Sequence, residues 1–159
     1  MNKIEIKQSP KIISCFPGIG KNFAIEKLKE AGYKVYSIEK KDKSFNKSML
    51  LTDLISLRFE YDIIFIPFYI GMHNDLNKYS MLLTGLPPIN PIIVYPNKNC
   101  LEIYLSLYKE LNFSQEEIQY ISDNWDEMMK YIQTCGLKRI EINPNDDNAP
   151  HYLLDVLSY

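Results

Sequence analysis

Short apolar runs alternate with segments of helical periodicity along the chain, and this alternation constrains the fold more than any other feature. Five runs predict buried strands, at residues 11–15, 34–38, 62–68, 92–96 and 139–143. The run at 62–68, DIIFIPF, is the most apolar and predicts a central strand. We therefore expect a single α/β domain over residues 1–159, with an open parallel five-stranded sheet and helices on both faces.

Capping and breaking residues predict where the helices begin and end. Helices are predicted at residues 21–31, 48–59, 72–83, 100–111 and 114–134, and the tail HYLLDVLSY predicts a last docked helix. Gly32 and Gly136 are predicted helix stops, and Ser48 is a candidate N-cap. Ser114 and Glu117 form an S-x-x-E capping box that marks the start of the longest helix.

The stretch SCFPGIGKNFA, residues 14–24, joins the first strand to the first helix and approaches the phosphate-binding (Walker A) pattern G-x-x-x-x-G-K-[ST]. Phosphate groups bind at this position in open α/β sheets. Gly18 and Gly20 let the backbone curl so that its N–H groups point inward, and Lys21 can reach β- and γ-phosphates. The residues predicted to bind ATP or another nucleoside triphosphate are Cys15, Gly18, Ile19, Gly20, Lys21, Asn22 and Phe23.

Two positions in this loop depart from the pattern. Cys15 replaces the first glycine, which is a mild change because a small residue could fit there. Cys15 has two interpretations. It could be a thiol whose pKa is lowered by the nearby helix N-terminus, or it could be a buried small residue. Asn22 replaces the serine or threonine whose hydroxyl ligates Mg²⁺, so magnesium binding stays open. For the loop as a whole, the alternative is a glycine-containing turn that binds nothing in particular.

Candidate substrate-binding residues follow the second and third strands. Glu39 and Asp42 could orient an acceptor, a sugar hydroxyl or a metal-bound water, or they could belong to a solvated loop. Phe68 and Tyr69 are expected at the carboxyl edge of the sheet, where they could stack on a base or fill a cleft.

Composition excludes several other classes of protein. A formal net charge of −2 gives no general attraction to nucleic acid or to anionic membranes. No apolar run approaches the roughly 20 residues of a spanning helix, and the start MNKIEIKQSP is too polar for a signal peptide. The 3 cysteines are widely spaced and odd in number, and His73 and His151 lie far apart, so neither a disulfide framework nor a metal site is predicted. We expect a cytoplasmic protein without nucleic-acid or membrane partners.

Several stretches together resemble a known group of proteins. SCFPGIGKN is similar to the FPGxGKS loop of small P-loop kinase-like proteins common in bacteriophages, described as nucleotide kinase-like or deoxynucleoside monophosphate kinase-like. YDIIFIP falls where that group has its third strand, and VYP, EIYLSLY and DNW resemble its VYP…EYLxRYxxRG…ENW region. The resemblance covers roughly residues 11 to 134. It implies a nucleotide ligand, with Lys21 as the catalytic residue of phosphoryl transfer.

The chain departs from this group at positions that carry charge. The acidic DSDSS stretch after the second strand is replaced by YSIEKKDKSF, and no acid follows the third strand in PFYIGMH. Leu107 and Leu111 occupy the positions of two lid arginines, which the resemblance implies would clamp the transferring phosphate. Lys98 or Lys109 could replace an arginine, but without its forked geometry.

Two hypotheses follow for the function. The first is a nucleotide-binding P-loop protein with weakened or lost phosphotransferase activity. The second is a non-catalytic descendant of the same fold, kept for interaction with a protein partner or for homo-oligomer assembly. The retained G-x-G-K sequence favours anion binding under either hypothesis.

Overall fold

The computed structural model describes residues 10–39, 47–57, 59–83 and 89–144, which contain one five-stranded sheet. Its strands are β1 (Lys11–Cys15), β2 (Val35–Ser37), β3 (Ile63–Pro67), β4 (Ile92–Pro96) and β5 (Arg139–Ile142). They lie in the order β2-β3-β1-β4-β5, and every neighbouring pair is parallel. The predicted open parallel sheet is confirmed.

Helices connect the strands in the predicted alternation. They are α1 (Lys21–Glu30), α2 (Lys47–Leu57), α3 (Met72–Leu83), α4 (Leu101–Glu110) and α5 (Gln115–Thr134), and a 3₁₀ turn at Lys98–Cys100 precedes α4. The connection from β1 to β2 runs toward one edge of the sheet, and the later connections run toward the other edge. Because such crossovers are almost always right-handed, α1 is expected on one face of the sheet and α2 and α3 on the other.

Most predicted boundaries agree with the structure to within two residues, the usual uncertainty of helix and strand ends. The prediction of Ser48 as an N-cap is wrong. Helix α2 begins at Lys47, so Ser48 lies inside the helix and not before it. The predicted tail helix after residue 150 lies outside the described residues.

The three inner strands are buried, as is typical of a parallel sheet. The side chains of Ile13 on β1, Ile64 and Phe65 on β3, and Ile93 and Val94 on β4 are all completely buried. Strands covered on both faces in this way are characteristic of parallel α/β sheets. β1 lies at the centre, and the chain leaves β1 toward one edge and β4 toward the other. The divergence makes the carboxyl ends of β1 and β4 the expected ligand-binding crevice of the fold.

The end of α4 sets the position of that helix beside the crevice. Asn112 adopts a left-handed conformation (φ 60°), which asparagine tolerates better than most residues. Its amide donates to the Lys109 carbonyl at 3.2 Å, and the Phe113 amide donates to the Tyr108 carbonyl at 2.9 Å. These two bonds form a Schellman motif, which ends α4 and lets α5 begin after Ser114.

The predicted capping box at the start of α5 is confirmed and can be tested by mutation. The Ser114 hydroxyl accepts from the Glu117 amide at 3.1 Å, and the Glu117 carboxylate accepts from the Ser114 amide at 3.1 Å. We expect Ser114→Ala to lower the free energy of unfolding by about 1 kcal/mol, because the Glu117 amide loses the hydroxyl that accepts from it. Chemical denaturation measures this. Ser106→Ala, an exposed site within α4, is the matched control, and equal losses in both variants would contradict the prediction.

Candidate functional site

The loop between β1 and α1 turns at two glycines in the left-handed region. Gly18 has φ 81° and Gly20 has φ 82°. Gly20 is the N-cap of α1 and makes no side-chain capping bond, and the first turn of the helix contains no acidic residue. The N-terminus of α1 therefore keeps the partial positive charge of its backbone amides. Lys21, the first residue of the helix, adds a full positive charge at the same place.

Lys21 is engaged by Glu39, which follows β2 by two residues. The Lys21 ammonium donates to both carboxylate oxygens, at 2.7 Å to Oε1 and 2.8 Å to Oε2. The Ser37 hydroxyl donates to the same Oε1 at 2.7 Å. The Lys21 side chain is 24% exposed and that of Glu39 is 53% exposed, so the pair lies at the surface of the crevice. The structure thus brings together two residues that lie 18 positions apart in the sequence.

The surroundings of Glu39 keep its carboxyl group ionised. Partial burial acts to raise the pKa of Glu39, but hydrogen bonds from Lys21 and Ser37 and the charge of Lys21 outweigh it, and the pKa lies below its ordinary value. The contact is therefore an ion pair near neutral pH.

Cys15 is buried at the end of β1. Burial raises the pKa of its thiol to about 12, although the charge of Lys21 acts in the opposite direction. Of the two interpretations of Cys15, the buried small residue is therefore the one observed, and the thiol is not activated. Its predicted part in nucleotide binding stays a prediction, and would involve the backbone.

Helix α4 packs directly on the loop, and the sequence alone did not reveal this contact. The Tyr108 hydroxyl donates to the Pro17 carbonyl at 2.8 Å. A Cβ atom at Gly18 would lie 2.7 Å from Tyr108 Cε1 and 3.5 Å from Leu107 Cδ2. Glycine is therefore required at position 18 both by its backbone angle and by the neighbouring ring. The family resemblance did indicate that α4 lies near the loop, since it put Leu107 at the position of a lid arginine.

Phe68 and Tyr69 pack against helices on one face of the sheet. The Phe68 ring lies 5.5 Å from that of Phe16, in the loop, and 6.1 Å from that of Tyr131 on α5. Burial raises the pKa of Tyr69, and the nearby charge of Asp75 raises it further. Phe68 therefore helps to fill the space between the loop and α5, which agrees with the cleft-filling alternative. Base stacking by either residue stays a prediction.

The remaining predicted residues of the loop differ in exposure. Ile19 is buried, whereas Asn22 is exposed in the first turn of α1. Phe23 is 38% exposed, and the Lys27 ammonium lies 5.7 Å from its ring centroid. Asp42 lies outside the described residues, so its predicted role stays a prediction.

Among the residues that the structure describes, the oxygen donors near the loop do not fit a magnesium ion held by the protein. Mg²⁺ prefers oxygen ligands, usually carboxylates and hydroxyls. Asn22 stands where the pattern has a hydroxyl, β3 ends at Pro67 without an acid after it, and Glu39 is engaged by Lys21. Within the described residues, no group of three or more His, Cys, Asp or Glu side chains could hold a metal ion.

Cationic side chains that could replace the lid arginines lie elsewhere or are exposed. Arg139 is at the amino end of β5, opposite the loop edge, and donates to the Gln133 carbonyl at 3.1 Å. Lys98 and Lys109 are exposed. Arg58 lies outside the described residues. Over residues 10–39, 47–57, 59–83 and 89–144, therefore, Arg139 is the one arginine, and it does not serve the loop.

His73 belongs to the start of α3. Its backbone amide donates to the Tyr131 hydroxyl at 2.8 Å, and its ring lies 3.2 Å from the Asn77 amide nitrogen. His151 lies outside the described residues, so the expectation that it forms no metal or catalytic pair with His73 stays a prediction. In the part of the chain that the structure describes, no helix is both long and apolar enough to cross a bilayer.

Comparison with known proteins identifies the fold. The chain is similar to the YorR protein of Bacillus subtilis, which was crystallised in complex with phosphorylated GDP, with a TM-score of 0.52 and 14% identity over 93% of this chain and 94% of YorR. It is also similar to dephospho-CoA kinase from Campylobacter jejuni, with a TM-score of 0.47 and 12% identity over 94% of this chain and 95% of that one. No family model and no curated protein sequence matches. The chain thus shares its open parallel α/β fold with YorR.

The contact between Gly18 and Tyr108 predicts unequal effects of substitution at the two loop glycines. Gly20→Ala should cost about 1 kcal/mol in the free energy of unfolding, because only left-handed strain is added. Gly18→Ala should cost about 2–4 kcal/mol, because its methyl group also meets the buried Tyr108 ring. Chemical denaturation of both variants measures the difference. In a Tyr108→Ala background the difference should shrink, and an undiminished difference would contradict the packing explanation.

The ion pair predicts how Glu39 titrates. In Lys21→Ala the carboxylate loses its strongest donor, so the pKa of Glu39 should rise toward or above its ordinary value. Because the folded-state pKa is depressed, the stability contributed by the pair is present above the ordinary pKa of glutamate and is lost as the pH falls through the depressed value. NMR titration of the Glu39 carboxyl carbon measures the shift. Lys29→Ala, also on α1, should leave it unchanged, and equal pKa values in wild type and Lys21→Ala would refute the pairing.

Proposed function

We propose that this chain is a P-loop nucleotide-binding protein, with weakened or lost phosphotransferase activity. The ligand is ATP or another nucleoside triphosphate, and its β- and γ-phosphates lie at residues 18–22. The observation that carries the proposal is the position of Lys21, at the N-terminus of α1 directly after the two left-handed glycines. The proposal treats residues 1–159 as one domain that acts in the cytoplasm, in a host cell if the chain is of phage origin.

The physical chemistry of the loop supports an anionic ligand. Backbone amides at a helix N-terminus and in a glycine turn form a concave site of partial positive charge, which suits phosphate oxygens. The site lies at the carboxyl end of the central strand, where open α/β sheets bind their ligands. The complex of YorR with phosphorylated GDP supports a nucleotide as the ligand, because that protein has the same fold.

The charges around the loop support the loss of catalytic power. Phosphoryl transfer depends on cations that neutralise the transferring group, and an arginine supplied in trans is worth roughly 10³–10⁵ in rate. Leu107 and Leu111 occupy the positions implied for lid arginines, so aliphatic side chains stand where cations are implied. The described residues also lack a fitting set of magnesium donors. Orientation of a phosphate acceptor by Glu39 and Asp42 remains part of the proposal.

The surface of α4 favours a second candidate, a non-catalytic protein retained for interaction with a protein partner or with another copy of itself. Ile103 and Leu111 are 43% and 51% exposed, and Leu107 lies between them at helical spacing. Together they form an apolar stripe, and the resemblance implies arginines at two of its positions, Leu107 and Leu111. Sedimentation velocity with Ile103→Lys and Leu111→Lys tests self-association. A monomer at every concentration of the wild type would rule out the homo-oligomer.

Binding of ATP can be measured by thermal shift. The wild-type protein should gain several degrees in Tm with ATP at about 100 times its Kd, because ligand that binds only the folded state stabilises it by about 2.7 kcal/mol. The gain should occur equally without Mg²⁺ and should be lost in Lys21→Ala. Lys29→Ala, an exposed lysine on the same helix, is the control and should respond as the wild type does.

Other outcomes of this measurement discriminate between the candidates. Absence of any shift in all conditions would reject nucleotide binding and leave the interaction protein. A shift that requires both Mg²⁺ and Lys21 would contradict the loss of catalytic function, and a phosphate-transfer assay would then measure the activity. An equal response of Lys21→Ala and wild type would show that ATP binds elsewhere.

A further inference from the structure

We infer that Glu39 is a built-in competitor for the phosphate site, which engages Lys21 and must be displaced when a nucleotide phosphate binds. The inference rests on the proposed function, since it concerns the same site. It changes the role of Glu39 from a residue that only orients the acceptor to one that controls access to the lysine.

The hydrogen bonds of the Lys21 ammonium show why the two partners compete. An ammonium has three donors, and Glu39 accepts from it with both carboxylate oxygens, at 2.7 and 2.8 Å. Glu39 leaves one of the three donors, so a phosphate that binds Lys21 with two oxygens needs at least one donor that Glu39 occupies. Ser37 donates to the same carboxylate at 2.7 Å, so Glu39 is positioned by its own strand end as well as by the lysine.

The charge balance of the loop leads to the same conclusion. Lys21 is the only charged residue in the stretch FPGIGKNF, residues 16–23. Pairing with Glu39 cancels that charge and leaves only the partial charge of the α1 N-terminus to attract an anion. A phosphate at Lys21 would also lie close to the Glu39 carboxylate, and like charges at such distances repel. Glu39 therefore lowers the affinity for phosphate by occupying the lysine and by repelling the ligand.

Displacement of Glu39 would let this residue first control access to Lys21 and then orient a phosphate acceptor. While the carboxylate is bound to Lys21 and Ser37, its oxygens are occupied. Once phosphate takes Lys21, the carboxylate is released beside the bound ligand. Any orienting role of Glu39 toward an acceptor thus follows occupation of the phosphate site.

A second ion pair on α1 provides a matched control. Lys27 and Glu30 are 2.9 Å apart at i,i+3 spacing, with side chains 44% and 64% exposed. Glu30→Gln removes a carboxylate from α1, away from the loop. Its change in net charge equals that of Glu39→Gln. Gln at position 39 keeps an oxygen that can accept from Ser37, so Glu39→Gln is expected to fold.

Isothermal titration with ATP, without Mg²⁺ and at low ionic strength, tests the inference on the wild type, Glu39→Gln, Glu30→Gln and Lys21→Ala. Glu39→Gln should bind ATP about three- to tenfold more tightly than the wild type, the range expected for release of a partly exposed ion pair together with relief of repulsion. Glu30→Gln should match the wild type. The gain in ATP affinity of Glu39→Gln should diminish at about 1 M salt, where charges are screened beyond about 3 Å. A purely structural effect of the substitution would not diminish in this way.

The outcomes separate this inference from the proposed function. Equal affinity of Glu39→Gln and wild type, or weaker binding by Glu39→Gln, would overturn the competition and leave nucleotide binding intact. Binding by Glu39→Gln alone would support the competition and overturn nucleotide binding by the wild type. Absence of binding by both proteins would overturn both proposals. Circular dichroism and thermal unfolding of each variant establish that all four proteins are folded.

Discussion

Burial of β1 between two other strands is the constraint on which the rest of the structure depends. β1 pairs with β3 on one side and with β4 on the other, and almost all of its side chains are buried. A central, doubly covered strand must end at the middle of the sheet edge, so the glycine loop and the N-terminus of α1 are held there by the hydrophobic core. The sheet therefore fixes where the loop of the candidate site begins.

The site combines a polar side and an apolar side. On the polar side, Glu39 and Ser37 from the end of β2 engage Lys21. On the apolar side, Leu107 and Tyr108 of α4 lie against Gly18. The resemblance to kinase-like proteins implies an arginine at position 107, whereas α4 has an aliphatic side chain there. Helix α4 thus packs on the loop, and Glu39 after β2 neutralises the charge of Lys21.

The sequence predicted most of the fold because its signals are local. Apolar runs of strand length, the Ser114 capping box and the Gly32 stop each act within a few residues, and each was confirmed. Ser48 was assigned wrongly because a serine near a helix start is also compatible with the first turn of the helix. Glu39 was recognised as a candidate, but as a ligand for an acceptor, because nothing local connects it to Lys21.

The sequence by itself determined the parallel α/β class, the position of the loop after the first strand and the identity of its cation. Those properties depend on periodicity and on residue type at fixed spacing, which need no knowledge of distant contacts. Only the tertiary structure decided that Lys21 is held by Glu39 and that Gly18 faces Tyr108, 90 positions along the chain. Such contacts depend on the strand order β2-β3-β1-β4-β5, because it is the packing of the sheet that brings these ends together.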